Sequence, residues 1–210
     1  DNNSLDINFS GSLKLDNDNI DERIRDRETA IHSTNTMRND FRTYWGDIYY
    51  KHNFNNPKHY FTVDANLSHN LNQSGNSRQY TYLPDSTTYN RDASPYSAQL
   101  FQARADYYRE WDKYLVEGGL IFRHSALENK FTYEDFTDDL WQIDTLVSNS
   151  FSYNEKSYVA YLSFNHQISR ELSYSASLNG TCVQTLGISE TTGKETSKDY
   201  QVLRTYFLLC

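Results

Sequence analysis

The clearest pattern in the chain lies between residues 157 and 184, where apolar and polar side chains alternate along two consecutive runs. Successive side chains of a β-strand point to opposite faces, so each run predicts a strand with one apolar and one polar face. The two runs are joined by a short turn at Ser169 and Arg170, which predicts a tight antiparallel hairpin. The apolar positions are Tyr158, Ala160, Leu162, Phe164 and Ile168 in the first run, and Leu172, Tyr174, Ala176, Leu178, Gly180 and Cys182 in the second.

The same alternation predicts eight strands, joined by connections that are alternately long and short. The predicted strands are 5–15, 38–54, 61–68, 97–111, 114–123, 158–168, 172–184 and 202–209. Polar stretches at 16–37, 71–96, 127–150 and 186–198 have no sustained period and are predicted as long loops, the first with extended strand ends as an alternative. The short turns begin at 55, 112 and 169. Transmembrane barrels sort their connections in this way, with short periplasmic turns and long external loops. A soluble β-sandwich has no reason to do so.

The polar face of the hairpin carries short hydroxyl and amide side chains rather than the mixture of Lys and Glu that is typical of a solvated surface. This chemistry suits the lumen of a barrel whose other face meets lipid. The predicted fold class is therefore all-β, an antiparallel up-and-down transmembrane β-barrel. Both ends of the sequence lie next to or within a predicted strand, so we expect residues 1–210 to form a single barrel segment, about eight strands of a larger barrel, with no plug domain.

Composition supports a folded, strand-rich chain and argues against a nucleic-acid partner. Aromatic residues make up 15% of the 210 residues and include 18 Tyr, which is unlike disorder and favours strands. The formal net charge of -8 leaves no basic stripe that could neutralise phosphates. No run of about 18 apolar residues predicts a transmembrane helix, but spanning strands need only about 9–11 alternating residues.

Five charged residues lie on the predicted polar faces and are the candidate functional residues. They are Asp64, Arg104, Asp106, Glu117 and Arg123. A charge that faces lipid near the midplane costs about 2–4 kcal/mol, so we expect these side chains to face the lumen. There they could contact a plug domain or a passing solute, or they could form an ion network along the wall that has no role in transport. The sequence leaves both interpretations open.

Four aromatic residues lie near the ends of predicted strands and are candidates for the membrane interface. Trp45 and Tyr50 lie on the second strand, and Trp111 and Tyr114 flank the turn at Asp112 and Lys113. Trp and Tyr are enriched where a membrane protein meets the headgroup region, and transmembrane barrels carry them as girdles. The sequence therefore predicts an aromatic girdle that includes these four side chains.

No catalytic or metal-binding motif is present. The six histidines show no HExxH spacing, and no GxSxG, Walker or dinucleotide fingerprint occurs. Cys182 and Cys210 show no spacing typical of metal ligands. We therefore expect neither enzymatic activity nor a cofactor or metal. The alternative to a transport barrel is a soluble or cell-surface β-sandwich that recognises glycan or protein through Tyr-rich loops, an interpretation favoured by the polar average composition.

Residues from about Ser97 to Gly187 resemble the outer-membrane β-barrel family related to TonB-dependent receptors. The resemblance rests on the strand pair FQARADYYREW-DKYLVEGGLIF and on FSYNEKSYVAYLSFNHQIS. In the second motif Tyr153, Asn154, Glu155, Tyr158, Ala160 and Tyr161 match the family's strand opening. The next strand departs from the family pattern, because residues 177–181 keep the small residue and Leu but lack the usual Arg and Glu.

The resemblance implies a barrel of about 22 strands in the outer membrane of a Gram-negative cell, plugged by an N-terminal domain of the same full-length chain. It further implies uptake of a small solute, with energy passed from the inner membrane by a TonB-type protein. The implied partners are therefore outer-membrane lipid, the plug domain, the TonB-type protein and an unknown solute, with no nucleic acid.

Overall fold

The computed structural model describes residues 2–25, 30–82 and 86–209. These residues form one antiparallel sheet of ten strands. Cys210 and the tips of two predicted loops, at 26–29 and 83–85, lie outside the described residues. In the described part of the chain, no helix has the length and apolar character needed to cross a membrane.

The ten strands are numbered in chain order. They are β1 (Asn3–Arg25), β2 (Ala30–Asn53), β3 (His59–Tyr82), β4 (Ser86–Ala93), β5 (Tyr96–Trp111), β6 (Tyr114–Thr137), β7 (Leu140–Ile143), β8 (Asn149–Gln167), β9 (Ser173–Ser189) and β10 (Lys194–Leu209). The eight longer strands pair in the order β1-β2-β3-β5-β6-β8-β9-β10, which is up-and-down. The predicted all-β antiparallel fold and its eight strands are confirmed.

The two short strands, β4 and β7, continue their longer neighbours. β4 pairs with β3 and β6, as β5 does, and the two segments are separated at Ser94 and Pro95. Pro95 has no N–H to donate to a ladder, but its carbonyl oxygen still accepts a hydrogen bond from Lys130 N at 3.0 Å. β7 pairs with the far end of β6 through a turn at Asp138 and Asp139, both with positive φ. Asp tolerates this left-handed conformation better than most residues.

The prediction of long loops is wrong for most of their length, because the strands continue through them. β1 and β2 remain paired as far as Arg25 and Ala30, and β9 and β10 as far as Ser189 and Lys194. A ladder needs only its backbone donors and acceptors, so it continues where both faces are polar and alternation disappears. The short turns, by contrast, lie where they were predicted.

One row across the eight longer strands shows how alternation builds an apolar face. Its members are directly opposite one another in register: Leu5, Tyr50, Val63, Ala105, Leu120, Ala160, Gly180 and Leu203. Leu120 is 63% exposed and Leu203 is 71% exposed. We call the part of the sheet that carries such rows the apolar band: 5–15, 44–52, 61–69, 99–109, 114–124, 156–166, 174–184 and 199–209. The strand residues beyond it, in β1/β2, β3/β4, β6/β7 and β9/β10, are the hairpin extension.

The described residues form no second sheet that could cover this apolar face. Among them Val183 is the one buried hydrophobic residue, so the sheet has no conventional core. The row predicted to contact lipid on β3 includes Val63, at 41% exposure, and Leu67, at 52%. A β-sandwich would bury that row against its other sheet. The arrangement therefore matches a sheet that meets an apolar solvent on one side.

Candidate functional site

Three charged residues of β3 and β5 lie next to one another on the polar face. Asp64 and Arg104 are directly opposite in register, and Asp106 lies two residues along β5 on the same face. Arg104 Nε donates to Asp106 Oδ2 at 2.5 Å, and the Tyr161 hydroxyl of β8 donates to Asp106 Oδ1. The sheet thus brings together three of the five predicted residues, and Asp106 accepts hydrogen bonds from both sides.

Gly119 makes the contact between Asp106 and Tyr161 sterically possible. The three residues are directly opposite one another on β5, β6 and β8, with Gly119 in the middle. A Cβ atom at Gly119 would lie 2.7 Å from Tyr161 Cε1 and 2.8 Å from the Ala105 carbonyl oxygen. A side chain here would therefore displace the tyrosine ring that crosses β6. Sequence reasoning missed both Gly119 and Tyr161 as site residues, although their parity already placed them on the polar face.

Unpaired buried acceptors also face the polar side of the band. Asp64 Oδ2 and Asp47 Oδ1 are buried without a hydrogen-bond partner among the described residues. Arg104, the register partner of Asp64, makes its ion pair with Asp106 instead. Burying a carboxylate oxygen without a donor is costly, so these two positions favour an incoming donor, either water or a group of another molecule.

Glu117 and Arg123 lie on the same face of β6 but outside the cluster. Arg123 donates from Nε and Nη2 to Gln102 Oε1, at 3.1 and 2.8 Å. Glu117 lies opposite Tyr108 on β5 and Ser163 on β8. The structure therefore separates these two charges from the contacts that join Arg104, Asp106 and Tyr161.

The hairpin extension has polar contacts of its own. Arg78 contacts Asp92 at 2.6 Å, and Asn76 Nδ2 donates to the same carboxylate at 2.8 Å. Arg91 Nε donates to Glu134, and its guanidinium lies 4.3 Å from the centre of the Trp141 ring. Burial raises the pKa of the nearby Tyr133 hydroxyl, and the hydrogen bond that Arg91 donates to Glu134 raises the pKa of Arg91. In residues 2–25, 30–82 and 86–209 no group of three His, Cys, Asp or Glu side chains is arranged to hold a metal ion.

The four predicted interface aromatics divide between the two faces. Trp111 and Tyr114 close the turn between β5 and β6 on the apolar face, with their rings stacked at 5.7 Å. Tyr50 lies on the same face and contacts Phe61 at a centroid distance of 5.7 Å. Trp45 lies on the polar face, opposite Ser10 and Ser68, because it is five positions from Tyr50 along β2 and successive side chains alternate between the faces.

Several solved structures of transporters and receptors resemble the sheet at low sequence identity. The ferric citrate transporter FecA matches with 11% identity over 85% of this chain and 33% of its own, at a TM-score of 0.37. The copper transporter OprC matches with 8% identity over 98% and 42%, at a TM-score of 0.46. The ferric yersiniabactin uptake receptor FyuA from Yersinia pestis matches with 10% identity over 97% and 39%, at a TM-score of 0.29. The chain thus spans between about a third and two fifths of the length of these proteins.

The family assignment comes from the sequence. No curated protein matches the chain significantly. The model of the family described as "Outer membrane protein beta-barrel family" matches residues 52–204, which is more than half of the chain. This match confirms the predicted resemblance and the predicted location in the cell outer membrane. The chain, an antiparallel sheet with one exposed apolar face and one polar face, therefore belongs to the outer membrane protein beta-barrel family.

Proposed function

We propose that this segment is part of the wall of a solute-uptake barrel similar to the TonB-dependent receptors, and that its polar face lines an aqueous lumen. The observation that carries the proposal is the cluster of Arg104, Asp106 and Tyr161. It crosses β5, β6 and β8 on their polar face, and the opposite face of the same strands carries the exposed apolar rows. A charge on the lipid side near the midplane costs about 2–4 kcal/mol, whereas water on the lumen side solvates it. The free-energy cost of these charges is therefore low only if the cluster faces a water-filled lumen.

The proposed partners follow from the same picture. Outer-membrane lipid contacts the apolar band, and the plug domain of the full-length chain contacts the polar face. The solute passes along that face, and a TonB-type protein supplies energy through parts of the protein that this segment does not include. The cluster contributes fixed charges and the unpaired acceptor of Asp64 to the lumen wall. We assign it no catalytic step and no nucleic-acid contact.

Cysteine accessibility tests the aqueous lumen. In the full-length protein with Cys182→Ser and Cys210→Ser, a cysteine is placed at Ser163 or at its neighbour Leu162, which lie on opposite faces of β8. We expect a membrane-impermeant, water-soluble maleimide to label Ser163→Cys and to leave Leu162→Cys unlabelled in intact outer membranes. Equal labelling of the two positions, or the reverse order, would exclude a lipid-facing apolar row and a water-lined polar row.

Charge removal in the cluster tests the uptake role. Cells that carry the full-length protein with Arg104→Gln or Asp106→Asn are compared with wild-type cells for uptake of ferric citrate, copper and other labelled solutes. If the cluster touches the solute, the half-saturation concentration rises while passive leakage stays unchanged. If it holds the plug, ion conductance across planar bilayers increases. Lys130→Gln, on the opposite face of β6 in the hairpin extension, is the matched control. Uptake equal to that of cells lacking the protein, with every solute tried, would contradict the uptake function.

A further inference from the structure

Aromatic rings and histidines form a ladder on the apolar face at the end of the sheet that carries the short turns. Phe54 stacks on His59 at 3.9 Å, and Tyr114 stacks on His166 at 4.3 Å. Trp111 joins the second stack through Tyr114 at 5.7 Å. We call this end of the apolar face, from His52 through Arg109 to His166, the short-turn rim. All three of its histidines point outward with the apolar rows.

Arg109 is the fixed positive charge of the short-turn rim. It is exposed and lies opposite His59, and its guanidinium is 5.0 Å from the centre of the Trp111 ring. It takes part in no ion pair among the described residues, where the nearest carboxylate along β5, Glu110, points to the polar face and contacts Lys58. Arg109 is therefore a cation that faces outward, beside aromatic rings, without an anion from the described part of the protein.

The opposite end of the same outward face has a different charge pattern. There Arg42 Nη2 contacts Asp40 Oδ2 at 2.6 Å, so the cation is already neutralised by its neighbour. Carboxylates at the short-turn end, Asp112 and Glu171, lie in the turns rather than on the outward rows. Arg109 differs from Arg42 in having no carboxylate partner among the described residues, and it lies where the apolar face ends.

We propose that the short-turn rim binds the phosphate groups of anionic phospholipids, with Arg109 as the central donor. Trp and Tyr side chains mark the depth at which a membrane protein meets the headgroups, and phosphates lie at that depth. A guanidinium donates two hydrogen bonds to one phosphate, and an imidazole N–H adds a further donor. The aromatic ladder packs against the glycerol and upper acyl chain, while Arg109 and His59 contact the phosphate. The proposal rests on the membrane-facing band and is independent of solute uptake.

Quenching of Trp111 fluorescence by brominated lipids measures this binding directly. Trp45→Phe and Trp141→Phe leave Trp111 as the one tryptophan of residues 1–210, since the chain has three; tryptophans elsewhere in the full-length protein are replaced likewise. The protein is reconstituted into phosphatidylcholine vesicles that contain either brominated phosphatidylglycerol or brominated phosphatidylcholine. We expect phosphatidylglycerol to quench at a roughly fivefold lower mole fraction, since one basic side chain near an anionic surface contributes about that factor.

Two substitutions at Arg109 and one at Lys51 separate specific binding from a change in overall charge. Arg109→Gln should bring the quenching ratio of the two lipids close to one, and Arg109→Lys should retain most of the preference. Lys51→Gln is the matched control, because Lys51 also lies over an aromatic ring, that of Tyr60 at 4.1 Å, but on the polar face of the same end. This control should leave the ratio unchanged.

Equal quenching by the two lipids in the parent protein would overturn the proposal. So would a preference that survives Arg109→Gln or disappears in Lys51→Gln. If Arg109→Gln does not fold, as judged by its heat-dependent mobility on a gel, a salt titration of the parent protein decides instead. A phosphate contact predicts that the preference weakens as salt increases, and a preference that is insensitive to salt would exclude it.

Discussion

The apolar band and the hairpin extension belong to the same sheet, yet they differ in the side chains on their two faces. In the band, Leu120 and its row are exposed and apolar while Asp106 and its neighbours are polar. In the extension both faces carry charged and amide side chains, among them Arg78, Arg91 and Asp92. The ladder of backbone hydrogen bonds runs through both without a break in pairing between β1 and β2.

This difference shows which property of a strand produces alternation of apolar and polar residues in the sequence. A period of two appears where the two faces of a strand meet two different solvents, and it disappears where water reaches both. The strand itself needs no such period, since its stability comes from the ladder and from cross-strand pairs. Regions of the chain that lack alternation can therefore still form strands, as the extension does. Alternation in the sequence predicts only the strands of the band.

The largest effect that tests this comparison is expected from a charge placed on the apolar row. Leu120→Arg puts a guanidinium at a position that is 63% exposed on the apolar face, which we propose meets lipid, so the free energy of unfolding should fall by about 2–4 kcal/mol. Glu128→Arg, on the same face of β6 in the extension, should change it by less than about 0.5 kcal/mol. Urea unfolding of the full-length protein in vesicles, followed by tryptophan fluorescence, measures both. Equal losses would mean that the two regions meet the same solvent.

A smaller loss of stability is expected from a substitution in the tightly packed cluster of Arg104, Asp106 and Tyr161. Gly119→Ala brings a methyl group to 2.7 Å from Tyr161 Cε1, which should lower the free energy of unfolding by about 1–3 kcal/mol. Gly180→Ala is the matched control, because the nearest atom, Leu203 Cδ1, is 3.7 Å away. Adding Tyr161→Ser to Gly119→Ala should recover part of the loss, which a double-mutant cycle detects. Strict additivity of the two changes would show that the ring and the glycine are not coupled.

What the sequence predicts also differs between the apolar band and the hairpin extension. Parity alone placed Asp64, Arg104 and Asp106 on one face, and the short turns at 55, 112 and 169 fixed the order of the strands. The hydrogen bond between Tyr161 and Asp106 could not be predicted, because it depends on the registers of β5, β6 and β8 relative to one another. Alternation determines the face of a side chain and leaves its position along the neighbouring strand open.

The strands of the extension were not predicted from the sequence, and the reason is physical. Residues 71–82 read as a polar loop because their side chains include Asn72, Asn76 and Arg78, whose partners lie on other strands. A signal in favour of pairing existed only in the complementary charges, such as Arg78 with Asp92 and Arg91 with Glu134. Such pairs cannot be recognised in a sequence before the register is known.

A loss of intermediate size is expected from an ion pair within the extension. The Asp92 side chain is only 9% exposed, so Arg78→Gln leaves its carboxylate with Asn76 as a weaker donor. We expect a local destabilisation of about 1–2 kcal/mol, seen as faster amide hydrogen exchange in β4. Arg38→Gln, an exposed arginine of β2 outside any ion pair of the described residues, should leave exchange in β4 unchanged. Faster exchange in the apolar band as well would show that the extension and the band unfold together.

The smallest effect on stability is expected from substitutions at the exposed pair of Arg91 and Glu134. This effect has two contributions, one from the ion pair and one from the contact with the Trp141 ring. Arg91→Gln removes both the ion pair and the contact with the Trp141 ring at 4.3 Å, whereas Glu134→Gln removes the ion pair alone. An exposed ion pair contributes about 0.2–1 kcal/mol, and an exposed cation–π contact contributes about 0.5–1 kcal/mol. Amide exchange in β7 should therefore accelerate more in Arg91→Gln than in Glu134→Gln.

Salt separates the two contributions at this pair. Screening weakens interactions between exposed charges, so at 1 M salt the effect of Glu134→Gln on exchange in β7 should almost vanish. The effect of Arg91→Gln should shrink but persist, because the guanidinium still covers the Trp141 ring. If both effects vanish together, the ring contributes nothing and β7 is held by charge alone. If neither changes, backbone pairing between β6 and β7 is sufficient to hold β7 in place.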